Sequence, residues 1–153
     1  MPETLEQGMI FPDFTLDDIH GNTVSSRSFY MRRILVVALV PNSQSSAWST
    51  WLRDLSSSMN SVDEADAVAL VILPAESLPD IAEVDNQDQR VRILVDPEGK
   101  ARERFKLPPS TGQLIVANQH GVVYHTVTGN PDDPGFEPDE IPGWVEFVAC
   151  RCS

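Results

Sequence analysis

ILVVALVPNSQSSAWSTWL, running from Ile34 to Leu52, decides how this chain folds. Seven consecutive apolar residues, Ile34 to Val40, cannot be half exposed, so they read as a central strand covered on both faces. Pro41 ends the strand. Beyond it Trp48, Trp51, Leu52, Leu55 and Met59 recur at i, i+3, i+4, i+7 and i+11, the stripe of one helix face. Ser43, Ser45 or Ser46 stands where a hydroxyl can cap that helix. A second apolar run of seven, Ala67 to Leu73, follows, so residues 34–73 read as a β-α-β unit with parallel strands.

Working outward, Phe11, Phe14 and Leu16 lead into a turn cluster, Asp18 to Asn22, and then Thr23 to Ser25, an N-terminal hairpin. Ser26 to Tyr30 reads as one helical turn. Prolines and acids fill residues 74–90, with a short helix from Leu78 to Val84. Val91 to Val95 reads as a strand, Asp96 to Gly99 as a turn, and a helix follows through Phe105. After an irregular crossing from Pro108 to Gly112, Leu114 to Ala117 and Val122 to Val127 flank residues 118–121 and form a hairpin. Four prolines and five carboxylates between Asn130 and Gly143 predict a solvated loop. Ile141, Trp144, Val145 and Val148 predict a terminal helix with one buried face. Because the late strands are antiparallel, a doubly wound sheet is excluded in favour of a mixed sheet with helices on both faces.

With 153 residues and 41% apolar content, the chain supports a single domain over 1–153. A net charge of -12 opposes nucleic acid and anionic membrane surfaces. No apolar run approaches the ~18 residues of a membrane span, and Met1 to Gln7 lacks the character of a signal peptide, so a cytoplasmic address is expected. Four bases fall between Lys100 and Lys106, interleaved with glutamates, and Glu98 and Arg102 have i,i+4 spacing. They are expected on a solvated helix face. The acids of residues 130–143 lack the regular spacing of a calcium loop, and no metal site is expected. Nothing in the sequence brings His20, His120 or His125 together as ligands, and His120 and His125 read as surface or hydrogen-bonded histidines.

Three further pieces carry a resemblance: GMIFPDFTL (Gly8 to Leu16) with His20-Gly21, DPEG (Asp96 to Gly99), and LIVANQHG (Leu114 to Gly121). In that order they are similar to the opening and later motifs of the alkyl hydroperoxide reductase/thiol-specific antioxidant group, the peroxiredoxins, over nearly the whole chain. The resemblance implies a thioredoxin-like, peroxiredoxin-type α/β fold. It also implies antioxidant oxidoreductase activity on peroxides or disulfides that needs no cofactor, together with a thiol reductant or protein partner and a monomeric or homodimeric state. The family's reactive motif is Pro-x-x-x-Thr-x-x-Cys, whose thiolate attacks peroxide from a helix N-terminus. Pro41 matches the proline and Ser45 the threonine, whereas Trp48 falls on the cysteine. Gly112 stands where thioredoxin-like members carry a cis-proline and peroxiredoxins an arginine.

Two candidate sites follow. Cys150 and Cys152 are the chain's two thiols, and a Cys-x-Cys pair can close a small disulfide or supply half of a soft-metal site. The bland alternative packs Cys152 on the terminal helix stripe and leaves Cys150 at a frayed end. The second candidate is the former active-site face, comprising Pro41, Ser43, Ser45, Ser46, Trp48 and Gly112. It could hold an anion, a polar ligand or a partner, or Trp48 could simply fill the space.

Overall fold

A computed structural model describes residues 8–10, 12–29, 31, 33–41, 46–60, 67–74, 91–108, 111–130, 133, 135 and 138–151. Among the described residues, seven strands form one mixed sheet in the order β2-β1-β5-β4-β3-β6-β7. They are β1 (Thr15–Asp18), β2 (Thr23–Ser25), β3 (Ile34–Leu39), β4 (Ala67–Pro74), β5 (Val91–Asp96), β6 (Gly112–Ala117) and β7 (Val123–Gly129). The described α-helices are α1 (Ser46–Asn60), α2 (Lys100–Arg104) and α3 (Ile141–Arg151). None is long and apolar enough to cross a membrane.

The apolar runs dictate the centre of the sheet. β3 lies between β4, its parallel neighbour, and β6, which is antiparallel to it. All six residues of β3 are buried. Its side chains alternate between two cores. Ile34, Val36 and Ala38 pack with the α1 stripe and with Ile141, Val145 and Val148 of α3. Leu35, Val37 and Leu39 face Phe14, Phe29, Ala101 and Phe105 on the opposite side. Helices therefore cover both faces, and a continuous apolar strand is what such a position requires. Full burial of each Val, Leu or Phe contributes roughly 1.5–3 kcal/mol.

Both hairpins turn on the same device. Asp18 Oδ1 accepts the backbone N–H groups of His20 and Asn22, and Asn118 Oδ1 accepts those of His120 and Val122. Gly21 and Gly121 follow at φ +86° and +81°, where other residues would be strained. Burial alone would raise the Asp18 pKa, but the N–H groups of Asn22 and His20 outweigh it and hold the carboxyl below its ordinary value.

The structure departs from the sequence reading in several places. β6 begins at Gly112, because Gly112 already pairs with Gly129. The stretch 130–143 is not all loop: Pro138–Glu140 forms a 3-10 turn, and α3 starts at Ile141 with Pro142 and Gly143 in its first turn. Proline is tolerated there because its missing N–H would have had no intrahelical partner. The bases between Lys100 and Lys106 do not form a uniformly solvated face, because Arg102 is buried. The expected helix from Leu78 to Val84 lies outside the described residues.

Candidate functional site

The first turn of α1 meets the ends of β3 and β6, and Trp48 fills the junction. It is 4% exposed. A Cβ built on Gly112 would run into Trp48 Cζ2, would lie 2.5 Å from Cη2 and would lie 2.9 Å from Pro41 Cδ. No side chain fits there, so residue 112 is glycine because of close approach and not because of its backbone angles. The indole N–H is also committed: Trp48 Nε1 donates to the carbonyl oxygen of Asn130 at 2.8 Å. Trp51 packs against Trp48 with ring centroids 5.4 Å apart.

Arg102 fixes the two segments that hold the indole. Nη2 donates to Val40 O at 2.6 Å, and Nη1 donates to Pro108 O at 3.0 Å and to Thr111 O. Val40 directly precedes Pro41, and Thr111 directly precedes Gly112. Asp96 orients the base of this clamp, accepting Ala101 N–H at Oδ1 and Arg102 N–H at Oδ2. Burial pushes the Arg102 guanidinium below its usual pKa while the charge of Asp96 opposes that shift, and an arginine remains cationic in either case. The i,i+4 spacing from Glu98 suggested solvent exposure, but Glu98 sits at φ +62° outside the helix and pairs with Lys100 at 3.8 Å.

Among the site residues expected from sequence, Pro41, Trp48 and Gly112 come together here. Ser46 begins α1. Ser43, Ser45 and Cys152 lie outside the described residues. Cys150 is exposed on α3. Trp144 of α3 stacks on His125, and Phe147 lies against Tyr124, so α3 runs antiparallel to β7, away from Gly129 and its partner Gly112. The run of β7 from Gly129 back to Tyr124 is already about 16 Å, and Cys150 lies nearly a turn beyond Phe147. That thiol and the Trp48 junction are therefore at opposite ends of the sheet. Among the described residues, no group of three or more His, Cys, Asp or Glu side chains gathers as metal ligands.

An α/β sheet of this topology is matched by known proteins. The AhpC/TSA family model covers residues 8–126. The chain belongs to the AhpC/TSA family. Solved structures of peroxiredoxins and of a thiol-disulfide oxidoreductase share the fold. A yeast mitochondrial 1-Cys peroxiredoxin superposes with a TM-score of 0.77 at 12% identity, over 97% of this chain and 78% of that one. The peroxidoxin BcpB of Mycobacterium tuberculosis gives 0.73 at 16%, over 97% and 99%. The thioredoxin domain of a thiol-disulfide oxidoreductase from Bacteroides vulgatus gives 0.68 at 17%, over 95% and 99%. No curated protein matches the chain. The AhpC/TSA fold, with its hairpin and mixed sheet, is as expected from the sequence.

His125 titrates in a way that reports on the packing of α3 against β7. Burial lowers its pKa below the ordinary 6.5, and Glu140 only partly offsets this. The folded state therefore binds fewer protons than the unfolded chain below pH 6.5. The stability contributed by neutral His125 is complete above the unfolded value and is lost as pH falls towards the folded one. Urea unfolding between about pH 7.5 and 5.5 should show that loss, and His125→Gln should flatten it. An NMR titration of His125 at or above 6.5 would contradict the burial account.

Proposed function

We propose that this AhpC/TSA-family chain is a redoxin-fold binding module, in which the face that carries thiolate chemistry in its relatives serves protein recognition. What supports this reading is the buried Trp48 indole seated on Gly112 and Pro41, at the position that the family's reactive motif gives to its cysteine. An indole offers no thiolate, and this one has its N–H already bonded to Asn130. The buried contact of Pro41, Trp48 and Gly112 fills the junction from within, backed by the Arg102 clamp. That suits recognition of a partner surface better than enclosure of a small peroxide.

A second reading has one specific observation in its favour, the exposed thiol of Cys150 two residues from Cys152. In that reading the pair exchanges electrons with a thiol reductant and reduces peroxides or disulfides, with Cys150 on α3 away from the Trp48 junction. Peroxide consumption and insulin-disulfide reduction, each driven by a thiol reductant, separate the two. The binding-module reading expects no turnover above buffer in the intact chain and no change in Cys150→Ser/Cys152→Ser. Turnover that the double variant loses would instead establish the terminal thiols as the redox pair.

A further inference from the structure

Four rings gather between α3 and β7, away from the Trp48 junction. Val116 pairs with His125 but Ala117 pairs with Val123, so Tyr124 bulges out of the ladder. A bulge re-aims its side chain, and here Tyr124 and His125 both reach α3. Phe147 lies 6.3 Å from Tyr124 at 69°, and Trp144 stacks on His125 at 4.0 Å and 10°. Trp144 and Phe147 stand 5.7 Å apart at 81°, forming the two walls of a corner. Together with Glu140 and Gly143 they line an open depression of about 380 Å³. Phe147 is 42% exposed, unusual for a ring that already has two aromatic partners. A Cβ on Gly143 would meet nothing within 4 Å, so the absent side chain leaves the corner open.

We propose that this corner binds a small alkylated ammonium compound. Aromatic faces carry negative quadrupole potential and attract weakly hydrated cations, while the Glu140 carboxylate at the rim supplies the countercharge. Asp139 and Glu146 are exposed nearby, and the chain's net charge of -12 concentrates cations at its surface. Glu140 disfavours an anion. A hard metal ion would need several oxygen ligands, whereas one carboxylate lines the depression. A neutral apolar guest could use the rings but would gain nothing from Glu140.

The test is an NMR titration of the intact chain with choline chloride at constant ionic strength, following the Trp144 indole and Phe147 ring signals. 3,3-Dimethylbutan-1-ol serves as the uncharged shape match. Saturable shifts at both residues are expected, with choline binding at least about fivefold tighter than the alcohol. Glu140→Gln should remove most of that preference. Gly143→Leu should abolish the shifts while leaving the Trp48 signals in place. Equal binding of the alcohol would overturn the proposal by reducing the corner to an apolar patch. So would shifts that fail to saturate, or the same signals moving on simple dilution without choline, which would mean that a second copy covers the rings.

Discussion

Gly112→Ala should lose about 2–3 kcal/mol of folding free energy, and Gly112→Val more, although alanine in a strand is ordinarily harmless. The new Cβ would collide with Trp48 Cζ2 and would lie 2.5 Å from Cη2 and 2.9 Å from Pro41 Cδ. Neither neighbour can move cheaply. Trp48 is held by its bond to Asn130 and by Trp51, and Pro41 follows the carbonyl that Arg102 grips. Trp48→Leu alone should also destabilise, because it empties a buried volume. In that background Gly112→Ala should cost about 1 kcal/mol or less, since the colliding ring atoms are gone and only the Pro41 Cδ contact remains. A double-mutant cycle by urea unfolding should therefore give a coupling of about 2 kcal/mol. Additive effects would mean that the indole does not lie on Gly112.

Arg102→Met should cost about 3–5 kcal/mol, a large effect for a charged residue that sequence spacing places at the surface. The methionine would fill much of the volume but leave the carbonyls of Val40 and Thr111 without this donor, and that of Pro108 with only the Thr111 N–H. Arg102→Lys should recover less than half of the loss, because one ammonium cannot reproduce the planar fork that spans three separate carbonyls. Asp96→Asn should be milder, since an amide oxygen can still accept one of the two N–H groups now held by the carboxylate. Unfolding midpoints at one pH rank the three variants, and a neutral Arg102→Met would show that the guanidinium does not hold these segments.

The centre of the fold was legible because its signals are periodic and redundant. The seven-residue run at Ile34 has one physical solution, and the stripe from Trp48 to Met59 has another. Asn118 and Gly121 announce a turn by known chemistry. Arg102 was not legible, because whether a long cationic side chain lies along the surface or turns inward depends on carbonyls from segments distant in sequence. Val40 lies 62 residues away. The same applies to the Gly112 contact. Glycine ahead of a strand reads as a loop residue, and only the approach of Trp48 explains why no Cβ can stand there. The bulge at Tyr124 also left no mark, since a single extra residue in a β-ladder does not disturb an alternating pattern enough to be seen.

One measurement addresses the central claim most directly: nuclear Overhauser spectroscopy of the intact chain, with the Trp48 indole assigned through Trp48→Phe. The account predicts cross-peaks from Trp48 Hζ2 and Hη2 to both Hα protons of Gly112, together with slow exchange of the Nε1 proton bonded to Asn130. A Trp48 indole that exchanges rapidly with water and shows no contact to Gly112 would contradict it, leaving the family's reactive position open instead of filled.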